Sequence, residues 1–541
     1  MTANQLVQKG KGQHLSTETS SYPIKDENAS TDFKHVEKLT EETAFADSIE
    51  DTKPSKRVWM IILTVAMGGF LFGYDTGYIS AVLVNVKDDL GHNLTPSEQE
   101  LVTAITSAGA LVGALIAGLP ADKFGRKFGI YVGCVLFVIG SVLQSAAYSV
   151  PQFIVGRSVV GLGVGSAAMI IPLYIGEISI AKYRGRTVAL NNVSITFGQL
   201  VAAVLGAGFT YVQHGWRYHV AIGGLPPFLL CFLLLSCPES PRLLLMHKKH
   251  EEAKKALSQL YPNATEAQIH AKAEHIAFLI ESEGKIVGSR SLRKQFKLLH
   301  TVPGNFRALF IACSVMAISQ LGGFNTLLYY SATLFGLVGF SNPTAVAITV
   351  AGTNFIFNIV NMAFIDKAGR RLLLLINVLL MAITMAIIAV AFHWIPVNKD
   401  LELLSTSSNW ASIVVLVTII IYVAAFSSGV ATIAWIGTEF LPIEVRALGT
   451  MLNTVTCWGT NLISSSTFLS LLRGATPSGA FGYYAGISFT GWLLILFCFP
   501  EVKGMPLEEI RHVFEHGFGV RKAAALQKAA ALERREEAAA V

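Results

Sequence analysis

Charge is scarce in this chain. Lys, Arg, Asp and Glu make up 14% of its 541 residues, against about 25% in a typical soluble protein. So little charge cannot cover a water-facing surface of this size, which argues against a soluble multidomain protein. Concentrated basic character is missing too. The formal charge of +6 is modest and sits in loops, so no nucleic-acid partner is indicated. Cysteine is sparse. Cys134, Cys231, Cys237, Cys313, Cys457 and Cys498 lie in or beside apolar runs without metal-like spacing, which removes both a disulfide framework and a zinc site. No apolar stretch follows a basic start, so no cleavable signal peptide is expected. No histidine falls in an H-E-x-x-H pattern and no nucleophile–base motif stands out. Neither a metal, a cofactor nor an enzymatic reaction is therefore expected.

Apolar residues are abundant, at 52%. From Val58 onward, runs of about 20 residues recur, the length that spans hydrocarbon. Twelve spans are predicted near 58–83, 99–119, 128–148, 152–173, 188–211, 217–236, 306–336, 345–365, 372–394, 411–436, 446–472 and 480–499. The chain divides into a polar tail without apolar periodicity (1–56, read as disordered), a six-helix half (57–236), a charged linker with surface helices (237–305), a second six-helix half (306–500) and a terminal tail (501–541). The fold class is an all-α membrane protein of twelve spans.

Basic residues sort by loop. Even-to-odd connections carry Lys123, Arg126, Lys127, Lys182, Arg184, Arg186, Lys367, Arg370, Arg371 and Arg446, besides the linker. Odd-to-even connections carry Lys87, Arg217, Lys399 and Arg473. The richer set is expected on the cytoplasmic side, with both termini and the linker. Asn93-Leu-Thr95 is a glycosylation sequon on the other side, although Pro96 and the nearby membrane argue against its use.

The halves repeat each other. Asp122-Lys-Phe-Gly-Arg-Lys127 returns as Asp366-Lys-Ala-Gly-Arg-Arg371. Glu177 precedes Arg184 as Glu439 precedes Arg446, and Pro238-Glu239 returns as Pro500-Glu501. Three motifs recurring in order indicate a duplicated unit. By contrast, Gly161-Leu-Gly-Val-Gly165 lies inside an apolar span with no lysine after it, so it reads as close helix packing rather than a nucleotide loop.

These motifs, with Gly69-Phe-Leu-Phe-Gly-Tyr-Asp75, Gly156-Arg157-Ser158, Pro172-Leu-Tyr-Ile-Gly-Glu177 and Pro238-Glu-Ser-Pro-Arg242, resemble the sugar-porter family of the major facilitator superfamily over about 58–510. Leu190-Asn-Asn-Val and Gly323-Phe-Asn-Thr-Leu-Leu-Tyr-Tyr330 look most like its fungal myo-inositol transporters. The resemblance implies a monomer in the plasma membrane that carries a small polyol or sugar, most simply myo-inositol, by alternating access with the proton as coupling ion. Asp75 would accept the proton and Arg157 would be its partner; an ionisable group inside a span is a functional residue by default. Uncharged hydrogen-bonding groups suit a polyol, and the resemblance assigns Asn192, Gln199, Gln320, Asn325, Tyr330, Asn354, Trp435, Trp458 and Asn461 to solute binding. A cytoplasmic latch would comprise Asp122, Arg126, Glu177, Arg184, Glu239, Arg242, Asp366, Arg370, Glu439, Arg446 and Glu501. Departures from the family pattern at Ser319, Cys457 and Val502 leave the solute open. Two alternatives stand beside symport: a facilitated hexose uniporter, and a transporter-like nutrient sensor, against which the short terminal tail argues.

Overall fold

The computed structural model describes residues 48–51, 56–180, 184–287, 292–398, 401, 403–404, 410–502, 513–514 and 517–528. Most of both expected tails therefore lies outside the described residues. Among those described, the architecture is helical, with one isolated bridge between Val397 and Leu403. Eleven helices are long and apolar enough to cross a membrane. They begin with Val58–Asn85, Pro96–Gly118, Arg126–Ser145, Val150–Ile178, Ala189–Phe209 and Gly215–Ser236. After the linker come Pro303–Tyr329, Pro343–Phe364, Arg370–Trp394, Trp410–Ile436 and Thr476–Cys498. Between the last two runs Ile443–Gly474, the longest helix among the described residues at 32 residues. Its Asn, Ser and Thr residues lower its hydropathy without shortening it, and it completes twelve spans in two halves of six.

Local chemistry explains the helix ends. Thr95 caps span 2 with a reciprocal capping box to Glu98, and proline fills the first turn of spans 2, 4, 7 and 8. Span 6 is broken where Gly223 and Gly224 precede a Pro-Pro pair. Span 7 breaks at Gly323, whose φ of +102° a side chain would resist. Span 10 carries a π-helical turn at Phe426–Val430, a form common at functional sites.

Close packing of small residues holds each half together. A β-carbon at Gly73 would collide with the Ile195 carbonyl, and one at Gly165 with the Ala110 carbonyl. Span 1 therefore lies backbone to backbone on span 5, and span 2 on span 4, as small-residue interfaces allow. The glycine run at 161–165 serves this packing.

The linker folds into helices Pro241–Met246, His250–Leu260, Glu266–Val287 and Leu292–Thr301. The second buries Ala253, Ala256, Leu257 and Leu260 on one face, the spacing of an amphipathic helix. A turn at Ser48–Asp51 docks against the third of these helices: Ile49 is buried, and Glu50 accepts from the Tyr261 hydroxyl at 2.9 Å and pairs with Lys272 at 3.0 Å.

The halves face each other through span 1 on span 7, span 2 on span 11 and span 5 on span 8. One set of their polar contacts lies at the end opposite the basic loops. Ser80 meets Ser331 at 2.8 Å and accepts the Ala332 N–H at 2.8 Å. Asn342 donates to the Tyr211 hydroxyl at 2.6 Å, and Thr210 meets Thr344 at 3.0 Å. Behind this seam lies a small cavity of about 10 Å³, bordered by Gly77, Gln199 and Ala347.

Candidate functional site

Asp75 and Arg157 come from spans 1 and 4 and meet in the interior. Arg157 Nη1 lies 2.8 Å from Asp75 Oδ1, with side chains 2% and 0% exposed, so bulk water reaches neither. The same guanidinium donates to the Tyr78 hydroxyl at 2.8 Å and, through Nε, to the Val102 carbonyl at 3.3 Å. Tyr78 donates its hydroxyl to Gln144 Oε1 at 2.8 Å and lays its ring under the guanidinium. Asp75 Oδ2 is buried without a hydrogen-bond partner. An unmatched carboxylate oxygen in such a place is costly.

Two clusters of neutral groups flank this pair. In one, Gln199 donates to the Thr76 hydroxyl at 3.1 Å and accepts from Asn354 at 2.7 Å. Ser427, in the π-helical turn, donates to Asn354 at 2.7 Å. Thr76 follows Asp75 directly, so this cluster and the ion pair share one turn of span 1. In the other, Gln320 Oε1 accepts from both Asn325 and Asn461, the latter at 3.3 Å. Asn461 also reaches the Tyr329 hydroxyl at 3.4 Å and accepts from Ser107 at 3.1 Å. Gln320, Asn354 and Asn461 are buried amides with no ionic neighbour in the cluster, the donor and acceptor set that hydroxyl groups match.

The remaining expected residues fall elsewhere. Asn192 is half-buried, and its neighbour Asn191 is the one turned inward, against Gly69. Tyr330 is buried with its hydroxyl donated to the Ser465 carbonyl at 2.9 Å. Trp458 is buried edge-on against Phe72 of the other half, 5.7 Å between ring centres. Trp435 is 43% exposed.

The basic end is built from caps. Glu239 accepts the backbone N–H groups of Arg126 and Lys127 at 3.1 and 3.3 Å. Glu501 accepts those of Arg370 and Arg371 at 3.3 and 3.0 Å. Each carboxylate sits on a helix N-terminus, where free amides and the helix dipole favour an anion. Gly125 and Gly369, with φ of +119° and +88°, start these helices and leave the space that the carboxylate fills. The repeated Pro-Glu motif is thus the partner of the repeated Gly-Arg motif. Arg126 grips Glu177 through Nε and Nη2, both at 3.1 Å, and also contacts Asp122. Arg446 donates to the Leu441 carbonyl at 3.1 Å, and Arg242 lies exposed on the linker. The side chains of Arg184, Asp366 and Glu439 lie outside the described residues.

Sequence reading missed Tyr78, Gln144, Thr76, Ser107, Tyr329 and Ser427. Tyr78 was within reach of it: three residues after Asp75, it shares that residue's helix face. The others carry no signal until the spans are set against one another.

The profile of the family described as Sugar (and other) transporter matches residues 61–514. The chain is 40% identical over 487 residues to myo-inositol transporter 1 of Candida albicans, covering 89% of this chain and 87% of that one. It is 40% identical over 482 residues to myo-inositol transporter 1 of Saccharomyces cerevisiae, covering 87% and 82%. Among solved structures, the E. coli xylose transporter XylE in a partially occluded inward-open conformation superposes with a TM-score of 0.70 at 25% identity, over 84% of this chain and all of that one. The proton:xylose symporter XylE bound to 6-bromo-6-deoxy-D-glucose gives 0.69 at 27% identity, over 86% of this chain and 100% of that one.

Proposed function

The chain belongs to the sugar transporter family, and from that premise we propose that it carries myo-inositol, or a polyol close to it, by proton symport with alternating access. The observation that carries the reading is the shared turn of span 1. Asp75, an acid with one unpartnered oxygen, stands next to Thr76, which opens the neutral Gln199–Asn354 cluster. Proton and solute would thus act on adjacent residues of one helix. The relatives called myo-inositol transporters support the solute, and a proton:xylose symporter of the same fold supports the coupling.

The asymmetric distribution of Lys and Arg supports an orientation with the basic loops, linker and both termini in the cytoplasm. In that frame the contacts of Ser80 with Ser331 and of Tyr211 with Asn342 belong to a state sealed from the outside. The plasma membrane is the proposed location. An epitope placed in the linker at 262–265 is expected to bind antibody only after permeabilisation. Binding to intact cells would reverse the orientation.

Uptake decides the function. Cells lacking their own transporters and expressing this chain are expected to accumulate radiolabelled myo-inositol in preference to glucose, fructose or xylose. A protonophore is expected to abolish the accumulation, and acidifying the medium to raise the initial rate. Equilibration that ignores both pH and protonophore would make the protein a uniporter. Surface protein that moves none of the four solutes would favour the sensor.

A further inference from the structure

Glu100 plays no part in the site described above, yet it is among the most enclosed acids in the molecule. It lies in the second turn of span 2, 5% exposed. Its two oxygens reach one residue of the other half: Oε1 accepts the Ser470 backbone N–H at 2.7 Å, and Oε2 accepts the Ser470 hydroxyl at 2.6 Å. An amide inside a helix is ordinarily committed to the carbonyl four residues back, so the carboxylate competes with span 11's own ladder for that proton. Among the described residues no cation pairs with Glu100. Serine, threonine or asparagine would bind two helices here without the cost of enclosing an acid. The carboxylate therefore calls for a role that simple adhesion does not supply.

Its position suggests one. Span 2 presents Glu100, Thr103 and Ser107 on one face, three and four residues apart, and span 11 meets that face at Asn461 and, nine residues further on, at Ser470. Two contacts join the two spans in sequence. Ser107 donates to Asn461 and Glu100 holds Ser470, while between them Tyr330 of span 7 donates to the Ser465 carbonyl of span 11. The row begins at Asn461, which touches Gln320 in the solute cluster, and ends where the halves meet opposite the basic loops.

We infer that the Glu100–Ser470 contact is the terminal latch of a polar seam between spans 2 and 11, and that it holds this end of the transporter closed. Glu100 is a positioning residue of the transport cycle. When the end opens, Ser470 withdraws and water replaces it on the carboxylate, so closure must exchange hydration for two charge-assisted hydrogen bonds. The inference rests on the alternating-access reading, and its test does not require transport.

The test introduces Ala347→Cys, which borders the small cavity behind the seam and is 7% exposed, and follows its reaction with a membrane-impermeant maleimide applied from each face in turn. Protein without the added cysteine supplies the background of the six native ones. Glu100→Ala is expected to speed labelling from the face opposite the basic loops about ten-fold, as loss of charged hydrogen bonds shifts the closed–open balance. Labelling from the basic face is expected not to rise. Glu100→Gln, which keeps one acceptor oxygen, is expected to fall between. Ser470→Ala keeps the backbone amide and is expected to give about a three-fold rise; it carries the test if Glu100→Ala fails to reach the membrane. Unchanged labelling in folded Glu100→Ala, or in Ser470→Ala where that variant stands in, would overturn the latch. Altered labelling in a protein that moves no myo-inositol would keep the latch and reject the solute.

Discussion

Asp75→Asn is expected to exchange myo-inositol across the membrane but never to concentrate it. A proton entering down one pH unit and 100 mV carries about 3.7 kcal/mol, enough for an accumulation of several hundred-fold. A variant without a titrating group at this position loses that drive, and its inside-to-outside ratio is expected to fall to about one. Asparagine keeps the shape and an acceptor oxygen for Arg157, which also retains Tyr78 and the Val102 carbonyl. The cation is nevertheless left without its counterion in a dry interior, and removing one partner of a buried pair destabilises by about 3–5 kcal/mol. Some loss of surface protein is thus expected from packing electrostatics alone. The double change Asp75→Asn with Arg157→Gln separates the two effects. It removes the orphan cation, so surface levels are expected to recover while accumulation stays absent. Recovery of accumulation along with surface levels would reduce the pair to a structural bridge.

The bundle was legible in the residue order because membrane spanning is a coarse requirement. Apolar length and the placement of Lys and Arg do not depend on which span touches which. Interruptions within spans were harder to read. The turn at Gly323 and the π-helical turn at Phe426–Val430 are single-residue adjustments of helix period that a hydrophobic run conceals. In the site, residue types were readable and partners were not. Asn191 and Asn192 are adjacent, but successive residues point about 100° apart on a helix, so one enters the interior and the other skirts it. Arg126 and Glu177 are 51 residues apart, and Glu239 caps Arg126 from 113 residues away. These motifs were recognisable in the sequence as repeats, while their joining into one cap appears only once three helix ends converge. Glu100 was passed over for the same reason: four residues into a helix it looks solvated until Ser470, 370 residues later, covers it.

Gln320→Ala is expected to raise the KM for myo-inositol at least ten-fold while leaving the amount of protein at the surface close to normal. Gln320 is the hub of its cluster. Its carbonyl oxygen receives both Asn325 and Asn461, and its amide reaches the Ser319 hydroxyl at 3.2 Å. A polyol entering this cluster would exchange these internal bonds for its own, and each good hydrogen bond lost costs about 0.5–1.5 kcal/mol. Truncation removes one acceptor and two donors and also releases Asn325 and Asn461 from the orientation they share, so about 1.4 kcal/mol or more is expected, a factor of ten. Tyr330→Phe is the contrasting change. Tyr330 stands on the same stretch of chain, but its hydroxyl is already given to the Ser465 carbonyl, in the seam between spans 7 and 11. Its loss is expected to lower thermal stability by about 1 kcal/mol and to leave KM within about two-fold. Concentration dependence of initial uptake, read beside surface labelling and melting of the detergent-purified protein, distinguishes the two. Equal KM in wild type and Gln320→Ala would make the cluster an internal brace between helices. A ten-fold change in Tyr330→Phe would move the solute to the seam, one turn nearer the closed end than Gln320 and Asn461 put it.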